Sequence, residues 1–499
     1  MKTLVKLNAN KESVFFIFIL IFATVFYLFN ITFSDLWFDE SYTAALVRHS
    51  FSDMLGLIKN DFHPPLYFYV LKVFTFFIGV SPFTIRLFSV IGVLSALVLG
   101  YITGQRVFGK RGALYFCLLL VALPMLESYS HFARMYTWAA FSITGVFLYA
   151  YLFMTTNKIR DLALLSLFSI MSAYIHNFSL IGAFWANVFV FIYLLFKRNK
   201  AWRTHFIAVM IMILIYLPWT YILIMHLHKV EQNYWIPNVS WHVIFSCYTQ
   251  PFAQNFVSIW TSFIMIFIVF ILTTFTIIRS FVKHENNQWL ILTLSLVIFN
   301  FTVISTAVIS LLSQPILYPR YIMTVVTMIM VPPTLFIMNI SNKWPRVTLL
   351  GILICCGIYT SFKSSFFSFG SYKQSMEFLA AKQPDVKKVV HIQEITTGPL
   401  LEHNEVAHLT HYWFQTDKTQ VYSNMDVFSD LHQVRTLDEF LKKGEVFSAV
   451  SFLGLPFNGE VLDRILAQSE LLRSDTIWDN KEGSGVQILL YKLRYRGGQ

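Results

Sequence analysis

Eleven apolar runs, each close to the roughly 20 residues that a helix needs to cross a bilayer, dominate this chain. They lie near 13–31, 86–105, 112–128, 135–154, 161–176, 178–196, 205–224, 257–278, 289–311, 321–340 and 347–363. Only 13% of the residues are charged, against about 25% in an ordinary soluble domain. So little charge cannot solvate a surface of this size, and much of it must face lipid. The 51 phenylalanines would be an aggregation hazard in water and are ordinary lipid-facing material in a membrane. The expected fold is an α-helical polytopic membrane protein with about eleven transmembrane helices plus interfacial helices.

The formal charge of +11 does not point to nucleic acid, because the basic residues fall in short clusters between the apolar runs. These are Arg106/Lys110/Arg111, Lys158/Arg160, Lys197/Arg198/Lys200/Arg203, Arg279/Lys283 and Lys343/Arg346. Each follows an even number of spans, so with the N-terminus inside all five are cytoplasmic, as positive charge retained during insertion should be. Lys2, Lys6 and Lys11 precede the first run with no small-residue cleavage site after it, which reads as an uncleaved first helix. Four cysteines are too few for a disulfide framework.

The stretch Pro65 to Val80 is apolar but short and contains Lys72. A crossing there would move all five basic clusters outside, so it reads as a helix lying in the outer interface. The loops left outside are 32–85, 127–134, the turn at His176, 225–256 and 312–320, and they hold most of the unusual polar residues. The membrane portion, 1–363, is the expected catalytic domain. Residues 364–499 are rich in Asp, Glu, Lys, Gln and His and lack a spanning run. Strand-like runs at Val386–Ile392, Val446–Phe452 and Val486–Tyr491 alternate there with helix-like runs at Tyr372–Lys382, Leu437–Lys443 and Val461–Leu472. That mixture predicts a small α/β domain, placed outside the cytoplasm after eleven spans.

Five motifs lie in the external loops. Asp39-Glu40 follows the first span, where two acids near lipid are either solvated or used; used, one serves as a general base. His63-Pro64-Pro65 starts a helix; His63 either helps form its capping turn or contacts a phosphate or metal. Arg134-Met135-Tyr136 places a guanidinium at an outer helix end, to be matched by Glu127, a headgroup or a bound phosphate. Arg320-Tyr321 repeats that arrangement before a late span. Tyr234-Trp235-Ile236-Pro237 reads as interface aromatics, or as cover for a lipid chain or sugar. His176, Asn177, His226 and His228 lie at the same boundary without metal-ligand spacing.

Taken in order, the Asp-Glu pair, His-Pro-Pro-Leu-Tyr, Ala-Arg-Met-Tyr and the later Arg-Tyr resemble the GT-C superfamily of glycosyltransferases over roughly 30–340. The closer resemblance is to the bacterial dolichyl-phosphate-mannose-protein mannosyltransferase-like group with its aminoarabinose transferase relatives. It implies transfer of a sugar from a polyprenyl-phosphate donor to a protein, lipid or cell-wall glycan acceptor outside the cytoplasm. It also implies Asp39 as the catalytic acid of the pair, with Glu40 orienting it. Arg134 and Arg320 would hold the donor phosphate, His63 would shape the site, and Tyr136 and Tyr321 would line it. One departure stands out. Relatives often carry an acid two positions before the motif's Arg, where this chain has Phe132; His131 is the neighbouring polar residue. The motifs require no nucleotide, and a divalent cation stays open. The competing classes are a transporter or flippase of lipid-linked sugars and a scaffold or sensor. Against transport, no internal repeat is seen and polar residues gather on one face.

Overall fold

In a bilayer each backbone N–H and C=O must be satisfied within its own segment, so apolar runs of this length become helices. The computed structural model describes residues 11–229, 236–253, 258–283, 286–366, 368, 370–404, 409–414, 424–452, 459–478 and 487–497. Among these, nine helices are long and apolar enough to cross a membrane, the first being Lys11–Leu28 and the last Lys343–Ser364. A tenth crossing exists if Gln105–Val121 and Pro124–Ser130, bent by 61° at their break, count as one span. The run at 161–176 forms Ile159–Ile175. Its 17 residues rise about 26 Å, just short of the hydrocarbon thickness of about 30 Å. Nine or ten helices among the described residues are thus long and apolar enough to cross, and Ile159–Ile175, at the short end of the roughly 17–25 residues that can span, is the remaining one of the eleven expected runs. The short stretch after His63 forms Leu66–Ile78, whose 13 residues span about 20 Å and cannot cross. Tyr234 and Trp235 lie outside the described residues, as do the side chains of His226 and His228.

The chain divides into two compact units. The first comprises Met1–Ile31, Phe62–Tyr67 and Arg86–Ser365. Its central element is Tyr136–Thr156, the most enclosed of the spanning helices. Ala201–Met225, by contrast, has the fewest buried residues of the spanning helices. Hydroxyls tie the inner helices together: Thr144 Oγ1 lies 2.9 Å from Thr327 Oγ1, and Ser172 donates to Ser142 at 2.9 Å. In hydrocarbon such groups need partners, and small residues admit the close approach that lets them meet. Gly357 carries this furthest. A methyl group there would lie 1.8 Å from the carbonyl oxygen of Ala122, so the Lys343–Ser364 helix rests directly on backbone at the end of Gln105–Val121.

The late span changes character along its length. Pro319–Met330 is a 3-10 helix and Val331–Met338 an α-helix. Pro332 and Pro333 lack the N–H groups that a continuous α-helix would send back one turn, so the switch falls where those donors are missing. Arg320 and Tyr321 sit in the first turn of the tighter half.

The second unit comprises Thr32–Asp61, Phe68–Ile85 and Phe366–Gln499. Among the described residues its sheet has six strands: β1 Lys388–His391, β2 Thr410–Phe414, β3 Leu431–Val434, β4 Val446–Phe452, β5 Ser469–Trp478 and β6 Gln487–Tyr495. Their order is β3-β2-β1-β4-β6-β5. β3, β2, β1 and β4 run parallel, whereas β6 is antiparallel to β4 and to β5. A parallel sheet needs cover on both faces. Tyr372–Lys382 and Glu394–Glu402 pack with Val389, Val450 and Leu490 on one face, and Gly459–Ala467 packs with Val390, Phe447 and Leu493 on the other.

The expected helix at 437–443 is only a 3-10 turn, Leu437–Glu439. The expected helix at 461–472 ends at Ala467, and Leu471 and Leu472 belong to the edge strand β5, where both are exposed. An apolar pair beside charged residues fits either period, and pairing with β6 decided it.

Inside the sheet His391 Nε2 lies 2.7 Å from His411 Nδ1, and Asn404 lies 2.8 Å from His411 Nε2. Burial drives both imidazoles toward the neutral form: His411 is pushed down to about 4, and His391 is shifted the same way by burial and by His411.

Two outcomes are expected. Gly357→Ala should cost about 1–3 kcal/mol by overpacking. Gly351→Ala in the same helix, with open space around it, should be neutral or stabilising by up to about 1 kcal/mol; thermal melting in detergent compares them. Below pH about 6.5 an unfolded chain takes up protons that buried His391 and His411 refuse, so stability should fall from there toward pH about 4 and be flat above. Melting curves of His411→Gln should show a shallower pH slope than those of the unsubstituted protein.

Candidate functional site

His176 occupies the single residue between Ile159–Ile175 and Asn177–Phe196, as C-cap of one helix and N-cap of the other. Its Nδ1 accepts the Phe178 amide at 3.0 Å, which places the proton of the neutral ring on Nε2. The residue is buried, and its Nε2 has no hydrogen-bond partner among the described residues. Burial, then the charges of His63, Arg134 and Arg320, hold this imidazole well below its usual range and therefore neutral. A buried N–H donor thus lies in the field of three cationic or potentially cationic groups.

The motifs read from sequence supply those groups. Arg134 follows the Pro124–Ser130 helix in a short turn, where its N–H donates to the Phe132 carbonyl at 2.8 Å. The Ser89 hydroxyl, from the Pro82–Ile102 helix, donates to the same carbonyl. Arg134 Nη2 then reaches His63 Nδ1 at 3.2 Å. Since a guanidinium can only donate, Nδ1 accepts and a neutral His63 carries its proton on Nε2. Asn177 donates to the Phe62 carbonyl at 3.0 Å and so ties the His63 segment to the start of its own helix.

Aromatic rings hold the rest. His63 and His176 have ring centroids 5.6 Å apart. Tyr136 lies 5.6 Å and Tyr321 5.4 Å from His176. The guanidinium of Arg320 lies over the rings of Tyr318 and Tyr321, at 5.2 and 5.8 Å from their centroids. Such contacts orient a cation without neutralising it. His63, Arg134, Tyr136, Arg320 and Tyr321 are therefore brought together around His176. His176 was noticed in the sequence but not placed among the site residues; its signal was a lone His-Asn at a helix junction.

His131, beside the missing acid, is engaged elsewhere. Its Nε2 donates to the Tyr27 carbonyl at 2.9 Å, and its Nδ1 faces Glu127 at 3.8 Å. Burial, against the Tyr27 hydrogen bond and with the charge of Arg86, lowers it to about 4. Arg86 is itself buried and donates to the Ile31 carbonyl at 2.9 Å. Among the described residues no group of three or more His, Cys, Asp or Glu side chains is placed to hold a metal ion.

Asp39 and Glu40 belong to the second unit, in the first turn of the helix Phe38–Leu46. A helix N-terminus favours negative charge, so this is where two adjacent acids are cheapest. Glu40 is buried and Asp39 partly so. The helix backs onto Glu394–Glu402, where Ser41 meets Gly398. The Leu36 amide, just before it, donates to His403 Nε2 at 3.0 Å. Beyond its end, Arg48 pairs with Glu402, and His49 Nε2 lies 2.7 Å from the Val427 carbonyl.

No family model and no curated protein matches this sequence. Solved structures do match in fold. The crystal structure of ArnT from Cupriavidus metallidurans in the apo state superposes with a TM-score of 0.60 at 14% identity, covering 96% of this chain and 98% of that one. The structure of the same protein bound to undecaprenyl phosphate gives 0.59 at 13% identity over the same shares. The fold of this chain is thus similar to that of ArnT along nearly its whole length.

Proposed function

We propose that this chain is a membrane glycosyltransferase that moves a sugar from a polyprenyl-phosphate carrier to an acceptor hydroxyl. The observation that carries the reading is the gathering of His63, Arg134 and Arg320 around the His176 ring, whose buried Nε2–H has no partner among the described residues. Preorganised donors and positive charge of this kind suit a phosphate that gains charge as its bond to a sugar breaks. The ArnT-like fold and that protein's undecaprenyl phosphate support the choice of a lipid-linked phosphate.

In this reading the acceptor oxygen attacks the anomeric carbon and the bond from that carbon to the phosphate oxygen breaks. The electron pair leaves with the phosphate, where Arg134, Arg320 and His176 stabilise it. Asp39 takes the acceptor's proton, and Glu40 orients Asp39. Tyr136 and Tyr321 keep the His176 ring and the Arg320 fork in position. The site and the 364–499 domain face away from the cytoplasm, following the placement of the basic clusters.

Cells with and without the protein should differ in two pools read by mass analysis: without it, a polyprenyl-phosphate sugar accumulates and a surface sugar is missing. Unchanged pools would sink the reading, and loss of sugar uptake into vesicles with intact transfer would favour transport. Arg134→Ala and Arg320→Ala should each reduce transfer by about 100-fold or more. Arg320→Lys should recover part of it, because the charge returns without the fork. Asp39→Asn should abolish transfer while binding of undecaprenyl phosphate persists.

A further inference from the structure

Gly398 and Pro399 stand in the middle of the nine-residue helix Glu394–Glu402. These are the two poorest helix formers, and a conspicuous Gly-Pro inside a helix asks for a packing reason. The structure supplies one for the glycine. A methyl group at Gly398 would lie 2.6 Å from Phe428 Cζ and 3.3 Å from Ser41 Cβ. Ser41 is the residue after Asp39-Glu40 and is fully buried. The helix that carries the acids holds four small residues beside Tyr42, namely Ser41, Thr43, Ala44 and Ala45, all buried. The two helices can therefore approach at a separation that larger side chains forbid.

Both ends of the acid-bearing helix are tied to the same neighbourhood. Asp35 accepts the Lys373 amide at 2.9 Å, and His403 accepts the Leu36 amide. Arg48 pairs with Glu402, one residue before His403. His49 holds the Val427 carbonyl, next to Phe428. Within the helix Thr43 donates back to the Asp39 carbonyl at 2.8 Å and Ser41 to the Trp37 carbonyl at 3.0 Å. A contact in the middle and ties at both ends fix translation and rotation together, which is what a side chain needs to present its carboxylate in one direction.

We propose that Gly398 is a positioning residue: its close contact with Ser41 and Phe428 lets the carboxy-terminal domain set the direction of Asp39 and Glu40. This rests on the reading of Asp39 as the base. Gly398 touches neither substrate nor reacting atoms; it acts through the helix it seats.

The test uses the full-length protein in lipid nanodiscs, with three readouts. These are amide exchange over 38–46 against exchange over β1 and β4, binding of undecaprenyl phosphate, and transfer. The donor for transfer is a lipid extract of cells lacking the protein, and the acceptor is envelopes of the same cells. In Gly398→Leu, exchange over 38–46 should rise by about tenfold or more while β1 and β4 stay protected. Maximal turnover should fall by about tenfold or more, with half-saturation by the extract and undecaprenyl phosphate binding unchanged. Phe428→Ala added to Gly398→Ala should return turnover toward that of the parent by making room for the methyl group. The pair Arg48→Ala with His403→Ala, which adds no bulk, should shift exchange and turnover the same way. Turnover that holds while 38–46 loosens overturns the proposal, as does unchanged exchange over 38–46 in both variants. If the unsubstituted protein consumes no lipid-linked sugar, the transferase reading falls, and exchange alone then decides whether Gly398 seats the helix.

Discussion

The hydrogen bond from the Phe178 amide to Nδ1 of His176 decides where one proton sits, and much of the site's chemistry follows from that. With Nδ1 used as an acceptor, the ring must offer its proton from Nε2, at a buried position near two guanidinium groups and a second imidazole. A charged His176 there would add to positive charge already gathered. A neutral one adds a donor without adding charge. The helix junction that produces this cap is therefore also the device that keeps the site from repelling itself.

The membrane portion supplies the rigidity that this arrangement needs. Arg134 is held in a turn pinned by Ser89, and Arg320 sits in a 3-10 segment that gives way to an α-helix only at Val331, just before Pro332 and Pro333. The flanking tyrosines restrain ring and guanidinium in turn. The candidate acids are supported differently. Their helix is short, rests on a soluble-type α/β layer and gains its place from contacts with residues more than three hundred positions later. Positive and negative parts of the proposed chemistry thus depend on separate structural supports.

The helical membrane class, the short helix at 66–78 and the ends of Tyr372–Lys382 were legible because apolar length and helical periodicity are local properties. The five residues that meet around His176 were legible as motifs, since an Arg at the membrane end of a helix is costly unless used. His176 was not singled out, because a lone histidine at a helix junction has no distinguishing pattern until its neighbours are known. Glu394–Glu402 was hidden by its own Gly398-Pro399, which reads as a turn. β5 was hidden by Leu471 and Leu472, of which the first pairs with Leu493 on β6 and the second falls at a break in the register. The grouping of 32–61 with 366–499 is a matter of distant contacts, which no local window contains.

The tie between Leu36 and His403 spans 367 positions, and this bears on biogenesis. A ribosome adding about 5–20 residues per second leaves the loop after the first helix waiting roughly 20–70 s before its docking partner has been made. During that interval the Phe38–Leu46 segment has its small-residue flank uncovered and its two acids unanchored. The earliest loop to be made is consequently among the last to mature. A chain that stops before Glu394 would insert its spans and still never complete that loop.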